Sequence, residues 1–187
     1  MNTRFCLAIV LAALAACSES TKPAPKPGVP AFVLLVFGDQ QTDTVGRELP
    51  QVLLVRVLDT AGTRIPGQAV NFRVVTGGGS VFAGAAVTNA AGEAGERWTL
   101  GTVAGDTQRV QVRALDATGV PLAFGVFRAV GLPDAPTTVA KIGGDGQISV
   151  SGSVLPESLS VKVTDQYGNV TPGATVTGTV QVIATVA

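Results

Sequence analysis

Two thiols, no imidazole and a scatter of carboxylates are the reactive side chains of this 187-residue chain. Without histidine, Ser-His-Asp and Cys-His catalysis are impossible. Histidine-ligated zinc, copper and non-haem iron are excluded as well. Acid–base work would fall to lysine or to carboxylates such as Asp39, Asp59, Glu93, Glu96, Asp145 and Asp165. These stand at turns or on short strands, and none follows the Asp-x-Asp-x-Asp spacing of a calcium loop; recruitment of some of them by calcium at a domain junction is the competing reading. A glycosidase pair needs a cleft, and a small domain poor in aromatic residues offers none. Gly77-Gly78-Gly79 and Gly143-Gly144-Asp145-Gly146 lack the Lys-Ser/Thr ending of a phosphate loop and open no helix, so they read as turns. Trp98 reads as a core residue, with a sugar-stacking platform as the alternative. Tyr167 lies in an expected turn, as turn packing or as an adhesive anchor. No catalytic residue, metal site or cofactor is assigned.

The thiols have a different use. Cys6 and Cys17 both lie in the first tenth of the chain. Met1 to Arg4 carries one positive charge, and Phe5 to Ala16 is an uncharged apolar run. That run is shorter than the roughly 20 residues a spanning helix needs, and it fits a signal peptide. Leu14-Ala15-Ala16-Cys17 resembles a bacterial lipobox. The resemblance implies that residues 1–16 are removed, that Cys17 takes a diacylglycerol through its thiol, and that its new amino group is acylated. Several acyl chains together give stable attachment, at roughly 0.8 kcal/mol per buried methylene. The competing reading is an ordinary signal cut elsewhere, with Cys17 idle. Ser18 in place of Asp leans, by the same resemblance, toward the outer membrane. Residues 17–30 hold Pro23, Pro25, Pro27 and Pro30, which favour an extended tether of roughly 40 Å at most. Cleavage would leave no thiol beyond Cys17, hence no internal disulfide.

The chain carries 13 basic and 13 acidic residues, and loss of Arg4 leaves 12 against 13. No basic stripe or patch is visible, so neither nucleic acid nor anionic lipid is an expected partner. Val, Thr, Ala and Gly dominate the body, with Gly and Pro as punctuation, which is the profile of short strands joined by tight turns.

The elements repeat. Residues 33–70 align with residues 139–176 at a constant offset of 106 without a gap, and fifteen of these 38 positions are identical. Leu53, Val55 and Val57 alternate, as do Leu159, Val161 and Val163, so each set lines one strand face while Arg56 and Lys162 face out. Asp59-Thr60-Ala61-Gly62, Asp165-Gln166-Tyr167-Gly168 and Asn89-Ala90-Ala91-Gly92 read as turns in which the acid or amide takes backbone N–H groups and glycine takes positive φ. Pro66-Gly67 and Pro172-Gly173 lead into strands carrying Val70 and Val176. Strands are expected at 32–37, 53–57, 70–75, 80–82, 86–88, 93–100, 109–115 and 122–129. Eight short strands and no convincing helix predict an all-β, Ig-like β-sandwich.

These residues resemble the group 1 bacterial Ig-like domains (Big-1) found as repeats in invasin- and intimin-type surface proteins. Gly38-Asp39-Gln40-Gln41, Leu49-Pro50, Val55-Arg56-Val57-Leu58-Asp59, Pro66-Gly67, Gly77-Gly78-Gly79-Ser80, Thr88-Asn89-Ala90-Ala91-Gly92 and Trp98-Thr99-Leu100-Gly101 carry the resemblance in order. It covers residues 31–131 and restarts near 136. It implies adhesion or spacing, although in that family stacked repeats often only hold a tip domain, and none is present here.

The second copy, 132–187, departs from the pattern. Ala187 corresponds to position 81 of the first copy, and Gly178 stands where the first has Phe72. Half a sandwich leaves an apolar face and strand edges uncovered. A truncated or shifted reading frame, packing of the half-domain on the first copy, and strands accepted from a partner all remain open. The resulting expectation is a non-catalytic cell-envelope lipoprotein, held to the membrane through Cys17, whose Ig-like domains act as a surface stalk or as an adhesion or binding module for a protein or glycan partner at the cell surface. The alternative is a carbohydrate-binding or accessory module in the periplasm or at the surface.

Overall fold

The computed structural model describes residues 28–179, and the signal, Cys17 and most of the tether lie outside them. The described residues hold twelve strands and no helix. In chain order these are β1 (Phe32–Phe37), β2 (Gln41–Thr44), β3 (Leu53–Leu58), β4 (Ala69–Thr76), β5 (Gly79–Val81) and β6 (Ala85–Val87). They continue with β7 (Glu93–Glu96), β8 (Trp98–Leu100), β9 (Thr107–Leu115), β10 (Pro121–Leu132), β11 (Thr138–Gly143) and β12 (Ser160–Thr164).

The first copy is an Ig-like β-sandwich. One sheet runs β1-β3-β7 and the other β2-β10-β9-β4-β6, with β5-β8 as a small third sheet. Alternation places the core. β3 turns Leu53, Val55 and Val57 inward, and β9 turns Gln108, Val110, Val112 and Ala114 inward. Trp98, Phe127 and Phe72 complete the same cluster. Each large apolar side chain buried this way contributes roughly 1.5–3 kcal/mol.

Gly38-Asp39-Gln40-Gln41 is the point where the chain leaves one sheet for the other. β1 pairs antiparallel with β3, whereas β2 pairs parallel with β10. The switch needs left-handed backbone at Gly38 (φ +86°) and at Gln40 (φ +60°). The buried side chain of Gln41 clamps it: Nε2 donates to the carbonyls of Gly38 (2.8 Å) and Gln51 (3.0 Å), and Oε1 accepts from the Gln51 amide (3.0 Å).

The repeat in sequence is a repeat in register. Val33 faces Val57 and Val139 faces Val163, and the irregularity between Leu35 and Phe37 recurs between Lys141 and Gly143. The Gln41 clamp recurs at Gln147, which donates to Gly144 and Glu157 carbonyls and accepts from the Glu157 amide. Asp59 takes the amides of Ala61 and Thr63, and Asp165 takes those of Tyr167 and Asn169. The fifteen shared residues are therefore largely those that switch sheets, cap turns and fill one strand face.

Three expectations need correction. The run 93–100 is not one strand: it breaks at Arg97, because β7 pairs with β3 while β8 pairs with β5. β2 was not anticipated, since a polar four-residue strand has no alternating apolar signal. Residues 171–179 form no strand, so Val176 does not repeat the role of Val70. Among the described residues β11 and β12 form a two-stranded sheet of their own, and Val139, Leu159 and Val161 are exposed where their counterparts Val33, Leu53 and Val55 are buried.

Candidate functional site

The carboxylates singled out in the sequence are spent on backbone and cations. Asp39 accepts the Arg128 amide (2.7 Å), and Asp59 holds its own turn. Glu93 pairs with Arg56, and Asp145 with Lys141, which holds the Asp145 carboxyl below its ordinary value. Glu96 is buried and accepts the amides of Gly84 (2.7 Å), Arg97 (2.8 Å) and Ala83 (3.1 Å). No group of three His, Cys, Asp or Glu side chains comes together among the described residues. Gly77, Gly78 and Gly79 all have positive φ and form a turn, and a Cβ on the facing Gly101 would overlap the Gly77 carbonyl. Trp98 is fully buried in the core, as expected. Cys17 lies outside the described residues.

What the fold does assemble is a seam between the two copies. The turn after β12 reaches the loops of the first copy. Asn169 Oδ1 accepts the Ala104 amide (2.9 Å) and its Nδ2 donates to the Thr102 carbonyl (2.8 Å). The hydroxyl of Tyr167 lies against Gly46, where a Cβ would crowd it. Tyr167 is thus 43% exposed yet committed to turn packing against its neighbour.

Asp165 organises the seam from below. Only 2% exposed, it takes the Tyr167 and Asn169 amides on Oδ1, and the Asp134 amide and Asn169 Nδ2 on Oδ2. Burial works to raise its carboxyl, but the Asn169 side chain and the three amides outweigh it and hold it below its ordinary value. Asp134 belongs to the connection between copies. The Ala135 amide and the Gln166 side chain hold its carboxyl low, helped by Arg47 at 4.0 Å. Behind it, Pro133, Pro136, Thr171 and Pro172 line a shallow cleft of about 310 Å³.

Sequence reasoning missed Asn169 and Asp134. A signal existed for Asn169: it replaces Thr63 of the first copy in an otherwise equivalent turn. Gln108 was missed too; it is fully buried and joins Gly101 to Val103 through its amide.

The outer face of the five-stranded sheet carries residues that the sequence reading did not group. Register places Arg73, Arg109, Arg113 and Arg128, from three strands, on that one face. They are far apart in sequence, so no run or stripe announces them.

No protein-family model matches the chain, and no curated protein matches it. Among solved structures, the chain is similar to the D00–D0 domain of Intimin at 16% identity and TM-score 0.40, covering 60% of this chain and 51% of that one. It is similar to domains 4–9 of surface layer protein SbsC at 15% identity and TM-score 0.39, covering 78% of this chain and 21% of that one. The D0–D1 domain of Intimin gives 19% identity and TM-score 0.37, covering 68% of this chain and 62% of that one.

Proposed function

We propose that the chain is a non-catalytic lipoprotein of the bacterial envelope, anchored through acylated Cys17 at the outer membrane. Residues 17–30 are its tether, and the two Ig-like copies act as a stalk or adhesion module that holds a binding surface away from the lipid. The lipobox resemblance at Leu14 to Cys17 supports the anchor.

One observation carries the stalk reading: the seam. A spacer transmits position only if its units do not swing, and domains joined by a plain linker move freely by default. Here Asn169 grips Thr102 and Ala104, Asp165 fastens the Asp134 amide, and Tyr167 rests on Gly46. All three contacts use turn residues at the end of the unit, where a stack of repeats must meet.

The test is a distance distribution by dipolar electron spin resonance in the mature, acylated chain. Labels are placed at the exposed positions Ala117 and Lys162, each replaced by cysteine. The stalk reading expects one narrow distance. A broad distribution spanning many ångströms would overturn it.

A further inference from the structure

The outer face of the five-stranded sheet is a grid of three rungs. Across β10, β9 and β4 they read Arg128–Arg109–Thr76, Val126–Gln111–Arg73 and Phe124–Arg113–Asn71. Neighbouring strands lie about 4.8 Å apart, and successive rungs roughly 7 Å apart along each strand. The inward residues between them, Val110, Val112 and Phe127, are fully buried, so the grid is the other, solvent side of the sheet.

Among the described residues, none of the four arginines has a carboxylate partner. The ion pairs among the described residues are Arg47–Asp134, Arg56–Glu93, Arg97–Glu48 and Lys141–Asp145. Asp39 stands at one end of the face with an oxygen committed to the Arg128 backbone amide. Arg109 and Arg128 lie directly opposite each other, an arrangement of like charges that destabilises a sheet. Arg113 Nε is buried without a hydrogen-bond partner. The like-charge pair costs stability in the free protein, and an anion seated between the Arg109 and Arg128 guanidinium groups would remove that cost.

We propose that this face binds a linear acidic polysaccharide, with carboxylates of successive sugars taken by the guanidinium forks of Arg109 and Arg128 on the first rung, Arg73 on the second and Arg113 on the third. The planar fork matches a carboxylate two bonds at a time. Gln111 lies between Arg109 and Arg113, and Thr76 stands beside Arg109 on the neighbouring strand; this amide and hydroxyl suit sugar hydroxyl groups. Phe124, 54% exposed, offers one ring face for a sugar ring. A nucleic acid strand fits less well. Sheets that hold single strands stack successive bases on several aromatic rings, and this face has one. The proposal does not depend on the Cys17 anchor.

The experiment uses the full-length chain in neutral detergent, with polygalacturonate immobilised as the probe. Binding is expected that weakens as salt is raised and is absent on neutral dextran. The Arg109→Gln/Arg128→Gln double variant should bind about tenfold more weakly, corresponding to about 1.4 kcal/mol. Arg73→Gln, on the middle rung, should weaken binding independently, which guards against misfolding of the double variant. Arg97→Gln, off the face, should bind as the parent does. Unchanged binding in the two face variants, equal retention on dextran, or tighter binding to duplex DNA of equal charge would each overturn the proposal.

Discussion

The side-chain oxygen of Asn169 accepts the backbone amide of Ala104 at 2.9 Å, although 65 residues of sequence separate them. One amide group thus spans the seam, because its nitrogen also donates to Thr102. Asn169→Ala removes both bonds and leaves the turn itself, which Asp165 holds, in place. The dipolar distance between the two copies should broaden. Cleavage by a broad-specificity protease at residues 133–137 should speed up. An unchanged distribution would mean that Tyr167 on Gly46 suffices.

Acid should loosen the same seam. Asp165 and Asp134 have carboxyl groups held below the ordinary value of 3.8 in the folded chain. A depressed carboxylate contributes stability that is present above its unfolded value and is lost as pH falls through its folded value. The seam should therefore stay intact down to about 3.8 and open below it. Amide resonances of Ala104 and Asp134 would report this in a pH titration. Asp165→Asn should flatten the dependence and weaken the seam at every pH, since its oxygen still accepts the turn amides while its NH2 replaces the oxygen that accepts from the Asp134 amide and Asn169 Nδ2.

Glu96 predicts a stability effect with no bearing on catalysis. Its buried carboxylate satisfies the amides of Ala83, Gly84 and Arg97. Glu96→Ala strands those donors and should cost about 1–3 kcal/mol, read as a lower urea midpoint. Glu96→Gln, with one oxygen left to accept, should cost less. A midpoint unchanged in both variants would mean that water reaches this turn.

The anchor is tested at Cys17. Cys17→Ser should abolish labelling by a radioactive fatty acid and release the chain from the membrane fraction. Protease treatment of intact cells should remove the sandwich of the parent chain if it stands outside. Protection until the cells are permeabilised would place it in the periplasm and end the surface-adhesion reading.

The parts of the fold that were legible in the sequence are those encoded locally or by repetition. Leu53, Val55 and Val57 announce a half-buried strand by alternation, and Asp59 with Gly62 announces a turn through the chemistry of each. The offset of 106 ties both to a second copy. What was hidden depends on distant partners. β2 is polar, and only its parallel docking on β10 makes it a strand. The break at Arg97 follows from two neighbours, β3 and β5, competing for one continuous run. Arg73, Arg109, Arg113 and Arg128 look like isolated charges until the register lays their strands side by side. Asn169 differed visibly from Thr63, but what it meets lies 65 residues away.

The chain has one tryptophan and one tyrosine, and the fold gives them separate addresses. Trp98 is sealed in the first copy with its indole N–H unpaired, so its emission should be blue and should answer only to the unfolding of that sandwich. Tyr167 stands at the seam, so its emission should follow the contact with Gly46. Without any label, two intrinsic colours therefore separate the melting of a unit from the parting of two units.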